Sequence, residues 1–373
     1  MKEKILKILI YITGGISLVA FLAIRYQPLF NSVLLEPIVE GYWDKTKYGE
    51  LYYFSMIDHF REPGLPPAQP KFEHSTRQTS IDDAEILTFG DSFFEFSRHK
   101  QFAERMADDF NKKIHTVNCC RPLEYIESKN YHGTLPKLVI YERVERGLPL
   151  DFEKKHVLRI QKNPSVSKAS TIMDKMTNLI FYSKSEELYD AMLKRSYLTT
   201  WIYSQIATIK FDLFGFISKL TPIYKKAGDH SWLFYFDQVN EKKSSFYYQF
   251  TQEQIDSICD NMADLATQLK LKYNMDLVYL PLPAKYTLYH TILNQDAYND
   301  FLPRLYKGLD ERGVKYVNVY DDFINCRDTI YYRTDEHWKQ EGIDIAYKKT
   351  IDYIKIDKVY KTYLYNNYHL ANK

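Results

Sequence analysis

One stretch constrains the fold more than any other: a run of strand-type residues that stops at Gly90-Asp91 and turns directly into a helical pattern. In Glu85-Ile-Leu-Thr-Phe-Gly-Asp-Ser-Phe-Phe94, residues Ile86, Leu87 and Phe89 read as a buried β-strand, Gly90-Asp91 breaks it, and Ser92 to Phe110 follow an amphipathic helical period. A chain that does this puts Ser92 at a strand-to-helix turn. Its hydroxyl then projects from the C-terminal edge of a sheet, and its N–H lies at a helix start, where negative charge is favoured. An isolated Gly-Asp-Ser is equally well a capped turn, so the rest of the chain must decide between the two.

The strand-then-helix order recurs. Ile114 to Val117 and Leu138 to Tyr141 read as strands, the second leading into Glu142 to Arg146 and stopped by Gly147-Leu-Pro149. This is the pattern of a parallel sheet whose loops cluster at one edge, the edge where α/β enzymes hold their chemistry. Residues 152–229 depart from it and read as a helical insertion, including the apolar stretch Leu198 to Phe216. Gln205, Lys210 and Asp212 inside that stretch make it a helix packed on the domain or lying at an interface, not a span. The α/β pattern then resumes with strands at Ser231 to Phe236, Leu277 to Leu280 and Lys315 to Val319. Between and after them come helices starting at Thr251, covering 295–312, and running from Trp338 to about Ile354.

Composition removes some function classes. With 50 Lys and Arg against 48 Asp and Glu, the net charge of +2 gives no electrostatic case for nucleic acid. The 33 Tyr and 22 Phe suit a surface that stacks on sugar rings, or reflect biased codon usage. Cys119, Cys120, Cys259 and Cys326 have no zinc-site spacing and read as free thiols, and no metal or organic cofactor is called for. At the N-terminus Lys2, Lys4 and Lys7 precede an apolar run from Ile8 to Ile24 that Arg25 closes, the pattern of an uncleaved signal anchor. The expected organisation is an anchor over 1–26, a linker and extension over 27–80 containing the Pro63 to Pro70 loop, and a domain over 81–373 outside the cytoplasmic membrane.

A serine reacts at neutral pH only when a base takes its proton and a third group orients the base. His337, two residues after Asp335, offers both, although a histidine before a helix is also a common surface or capping residue. Asn118, at the end of the second strand, reads as an oxyanion donor or as a turn residue. Arg146 and Lys285 sit at strand ends as binders of an anionic glycan group or acyl carbonyl, or as structural ion pairs with Glu142 or Asp91. Trp338 and Tyr332 read as sugar platforms or as core.

These blocks together resemble a known family. Gly90-Asp-Ser-Phe93 is similar to the first block of SGNH hydrolases, and Tyr331-Tyr-Arg-Thr-Asp-Glu-His-Trp338 to the Asp-x-His-Trp block of the periplasmic alginate O-acetyltransferase family. Trp232-Leu-Phe234, the Pro283-Ala-Lys285 loop with Tyr289, and Glu145-Arg146 resemble further elements of that family. The resemblance covers about 84–150 and 230–350. The block order differs: the serine comes first here, as after a circular permutation, and no Gly-x-Asn-Asp block is present. The resemblance implies an SGNH-type α/β fold, a three-layer sandwich on a central parallel sheet. It also implies Ser92 as nucleophile, His337 as base and Asp335 as its orienter. The activity implied is O-acetyl transfer to an extracytoplasmic polysaccharide, with the acyl donor supplied by a multi-spanning membrane acyltransferase partner. A carbohydrate esterase using the same three residues, or a non-catalytic glycan-binding scaffold, are the alternatives.

Overall fold

The computed structural model describes residues 48–61, 79–95, 102–118, 121–133, 135–153, 197–218, 223–227, 230–240, 242–293, 297–326, 329–357 and 363, and near the N-terminus residues 4, 7–8, 10–15 and 17–18. In chain order the elements are α1 (Glu50–Ser55), β1 (Ile86–Gly90), α2 (Ser92–Glu95), α3 (Phe102–Phe110), β2 (Ile114–Asn118), α4 (Pro122–Ser128), β3 (Lys137–Val144) and α5 (Leu148–Phe152). They continue with α6 (Tyr197–Phe214), β4 (Ile223–Ala227), β5 (His230–Phe234), α7 (Gln252–Tyr273), β6 (Met275–Leu282), α8 (Lys285–Leu293), α9 (Phe301–Glu311), α10 (Tyr320–Ile324) and α11 (Gln340–Ile356).

The protein has an α/β fold built on a parallel sheet. Four strands in the order β2-β1-β3-β6, every pair parallel, make the central sheet. The inner strands β1 and β3 are buried almost throughout because both their faces are covered, whereas edge strand β2 is buried only in part. Side chains alternate between two cores. Ile86, Ile140, Val278 and Leu280 pack with Phe102 and Met106 of α3 and Ile343 and Ala346 of α11. Leu87, Phe89, Val139, Tyr141 and Leu277 pack on the other side with Ile126 of α4, Met262 of α7 and Leu305 of α9. Each such side chain contributes about 1.5–3 kcal/mol by leaving water.

Several elements differ from their sequence expectation. Lys315 to Val319 is not a full strand. Lys315 O accepts from Tyr279 N and Val317 N donates to Tyr279 O, a single bridge on the edge of β6, after which the Asn318 side chain caps Tyr320 N–H and turns the chain into α10. The strand at Trp232 does not extend the central sheet: β5 pairs antiparallel with β4, inside the span read as a helical insertion. Of that insertion, 154–196 lie outside the described residues, and α6 packs on the domain, with Gln205 Nε2 on Asp58 Oδ2 at 2.9 Å and Thr208 accepting Asp58 N–H at 3.0 Å. The long helix expected after Ser92 consists of α2 and α3, with 96–101 outside the described residues. The Thr251 capping box at the start of α7 forms as its sequence implies.

The stretch read as a linker also contains structure. Leu51 and Tyr52 of α1, Ile57 just before the 3-10 turn Asp58–Phe60, and Phe60 within it form a small third core with Leu233 of β5 and the partly buried Phe211 of α6. The described residues among 4–18 are helical and exposed, and among the described residues no helix is long and apolar enough to cross a membrane. Cys259 is a free buried thiol and Cys326 a free, partly buried one, while Cys119 and Cys120 lie outside the described residues.

Candidate active site

At Gly90, the last residue of β1, nothing larger fits. A Cβ there would stand 2.5 Å from Glu142 Oε2, the carboxyl that accepts Asp91 N–H at 3.0 Å. Burial keeps the Glu142 carboxyl well above the usual carboxylate range. Asp91 shapes the turn by accepting Phe93 N–H on Oδ1 at 3.0 Å and Phe94 N–H on its carbonyl at 3.1 Å. Arg143 holds the other side of Asp91 at 3.3 Å and Asp151 at 2.7 Å. The exposed Ser92 hydroxyl therefore stands on a turn whose polar groups are engaged beneath it. Among the described residues the Ser92 N–H meets no protein acceptor, as expected for a first helical residue.

The loop 330–339 supplies the second half. Tyr331 bridges to Trp338, Tyr332 N–H donates to His337 O at 3.2 Å, and Lys339 N–H to Ile330 O at 2.6 Å, which closes the loop and presents Asp335 and His337. His337 Nε2 lies 2.8 Å from Ser92 Oγ, across 245 residues of chain. His337 Nδ1 lies 2.6 Å from Asp335 Oδ1, which also accepts the His337 N–H at 3.0 Å. A carboxylate so placed orients the ring and leaves Nε2 facing the hydroxyl. Burial works against charge on both side chains, but for Asp335 the neighbouring imidazole and the N–H donors win and hold it below its usual value. For His337 the Asp335 charge and hydrogen bond outweigh burial, and with Glu50 and Asp91 they raise it above an ordinary imidazole. The arrangement can take a proton from Ser92 and stabilise the imidazolium that results.

The remaining sequence candidates separate. Lys285, expected to reach substrate, is only 1 % exposed and donates to the carbonyls of Leu233 at 2.7 Å, Arg333 at 2.9 Å and Asp335 at 3.0 Å. An ammonium has three protons, and three carbonyls take them, so Lys285 is a buried clasp under the Asp335 loop. Trp338 is 0 % exposed, with its indole N–H on Phe93 O at 3.0 Å and its ring edge-on to Phe93, so it ties the serine turn to the histidine loop and offers no face to a sugar. Tyr332 is buried too, with Lys339 over its ring. Arg146 pairs with Glu336 at 3.3 Å, a partner other than the Glu142 or Asp91 considered from sequence, and keeps a quarter of its side chain open. Asn118 is exposed beside Gly90 in the strand register, at the sheet edge that carries Ser92.

The motif residues around the loop act in the same structural way. Tyr289 OH accepts the N–H groups of Ile330 and Tyr331 at 2.7 and 3.1 Å, and Tyr331 OH donates to Pro283 O at 2.6 Å. Leu233 N–H donates to Arg333 O at 3.0 Å. Glu145 accepts Ala284 N–H, Thr287 Oγ1–H and Tyr298 O–H, which fixes the start of α8. Glu336 accepts Tyr235 N–H at 3.0 Å and the Gln238 side-chain amide, and Gln238 in turn accepts Tyr286 N–H at 2.9 Å.

This C-terminal half can be compared with known families. Residues 226–369 match the family model of the SGNH hydrolase-like domain of the acetyltransferase AlgX. The AlgX-like segment holds Trp232, Lys285, Tyr289, Asp335, His337 and Trp338, while β1 to β3 with Ser92 lie outside it and meet it along the β3–β6 pairing and at the 2.8 Å contact of Ser92 with His337. No curated protein and no solved structure matches the chain.

Sequence reasoning missed α1. Glu50 N–H donates to Asp335 Oδ2 at 2.8 Å, and Leu51 and Tyr52 N–H to Thr334 O at 3.0 and 3.2 Å, so free N–H groups of a helix start hold the loop. Gly49 makes the approach possible: its φ is +94°, and a Cβ would stand 2.1 Å from Thr334 O. The available signal was Gly49-Glu50 leading an apolar run, Leu51 to Phe54, inside a stretch otherwise without period. Gly49→Ala is expected to pull α1 off the loop, costing about 2 kcal/mol in urea unfolding and lowering any Ser92-dependent rate. Unchanged unfolding would show that this close approach is dispensable.

Proposed function

We propose that the chain is a serine-dependent O-acetyltransferase acting on polysaccharide hydroxyls outside the cytoplasmic membrane. The observation that carries this reading is the hydrogen-bonded series Ser92 Oγ, His337 Nε2, His337 Nδ1 and Asp335 Oδ1 at 2.8 and 2.6 Å. Ser92 Oγ attacks the acyl carbonyl of the donor as its proton passes to His337 Nε2. Asp335 keeps the ring oriented and offsets its charge, and the Ser92 N–H, joined by Asn118, donates to the oxyanion. The tetrahedral intermediate expels the donor's leaving group, which takes the proton back from His337. A sugar hydroxyl then gives its proton to His337, attacks the acyl-serine, and leaves as the ester while Ser92 regains its proton.

The match of 226–369 to an acetyltransferase domain supports acetyl as the acyl group and a polysaccharide as acceptor. Arg146, the partly open basic side chain beside Glu336, suits an anionic sugar group. The lysines before the apolar run Ile8 to Ile24 support a membrane tether with the domain outside, where a multi-spanning membrane acyltransferase delivers the acyl group. Hydrolysis uses the same groups with water as acceptor. The test is to incubate the full chain with p-nitrophenyl acetate, with and without oligosaccharides. Acetylated oligosaccharide is expected; free acetate alone across several acceptors would replace transfer by esterase activity, and no turnover of the ester would remove the reading.

A further inference from the structure

We propose that Glu50 is a second carboxylate of the Ser92–His337–Asp335 system, sharing with Asp335 the stabilisation of the charge that His337 takes on when Ser92 gives up its proton. The inference rests on the acyl-transfer reading above. A carboxylate oxygen of Glu50, one of Asp335 and a ring nitrogen of His337 lie within 4.8 Å of one another. The position is built: Glu50 N–H grips Asp335 Oδ2 at 2.8 Å, and Gly49 allows the close approach that puts the residue there. Both Asp335 oxygens are thereby taken by N–H donors, so the three groups form a proton-handling set, not a cation site.

Among the described residues, the charged or titratable groups facing Glu50 include Asp335, Glu336 and His337 from the loop, Arg146 from the turn after β3, and Tyr235 after β5. Arg146 and Glu336 are paired with each other at 3.3 Å and largely cancel, which leaves Asp335 and His337 as the partners that matter. Burial first, then the Asp335 charge, push the Glu50 carboxyl up to about 7, while His337 pulls it down. Glu50 in turn is one of the groups that raise His337. When Glu50 is ionised, the imidazolium has two negative charges close by. Among the described residues Glu50 makes no hydrogen bond to Ser92, so it is assigned as a positioning residue that acts through His337.

The sign follows directly. Glu50→Gln removes a negative charge, so the imidazolium is less stable and His337 loses its proton at lower pH. The acid limb of the rate profile should therefore move down by about one pH unit, and the plateau rate should fall about tenfold. Glu50→Asp, which keeps the charge, should hold the limb near its original place. All variants keep the residue 50 N–H on Asp335. Rates with p-nitrophenyl acetate are measured across pH for the full chain and both variants, with His337 titrated by NMR in the same proteins. Lower rates with an unmoved limb and an unmoved His337 titration would overturn the inference and leave a packing role. If the unaltered chain does not turn over the ester, the acyl-transfer reading fails instead, and the NMR titration still reports on Glu50.

Discussion

Ser92→Ala is expected to leave the protein folded and to abolish the proposed acyl transfer. Ser92 is exposed, and among the described residues its hydroxyl hydrogen-bonds to His337 Nε2 at 2.8 Å, so deleting it costs at most about 1 kcal/mol of stability. The rate should drop by at least about a thousandfold, because neither His337 nor the oxyanion donors can supply a nucleophile. Thermal unfolding and initial rates with p-nitrophenyl acetate measure the two halves of this expectation. Mass spectrometry adds a third: the unaltered chain should carry one acetyl group on the peptide holding Ser92, and the variant none. A variant that retains the rate, or an acetyl group found on another residue, would remove Ser92 from the chemistry.

Lys285→Met has the opposite signature, with stability lost first. The ammonium donates to the carbonyls of Leu233, Arg333 and Asp335, which belong to β5 and the histidine loop, and a thioether withdraws that donor from all three, leaving Arg333 O with the Leu233 N–H. A loss of about 3 kcal/mol is expected in denaturant unfolding, with activity falling as the loop loosens. A residue that bound substrate would behave otherwise, raising KM in a protein of unchanged stability. That result would return Lys285 to the substrate-binding role its place in the Pro-x-Lys loop first suggested.

The two roles of Lys285 show where sequence reading stopped. A lysine after a strand has the same appearance whether its ammonium meets solvent or three carbonyls, because burial depends on segments far away in the chain. Trp338 is a similar case: the indole next to the histidine was visible, but that its N–H would reach Phe93 O depended on how the two loops approach. The strand at Trp232 was legible as a strand, yet strand propensity does not say which sheet it joins, and here it pairs with β4. Lys315 to Val319 had the right residue types and still forms only one bridge, because Asn318 diverts the backbone into α10.

Local chemistry in the sequence determined the four strands of the central sheet, the break at Gly90-Asp91 that exposes Ser92, the capping box at Thr251 and the Asp335-x-His337 pairing. Each depends on residues within a few positions of one another, where backbone period, turn preference and short-range hydrogen bonding act. The tertiary structure alone decided that Ser92 meets His337 across 245 residues, that Lys285 and Trp338 are buried ties, and that Glu50 arrives from a stretch with no period of its own. Those contacts exist because parallel strands bring distant loops to one edge and because Gly49 lets a helix start approach Thr334. No local pattern encodes that approach, since the free N–H groups of α1 find their acceptors only once the rest of the chain has folded around them.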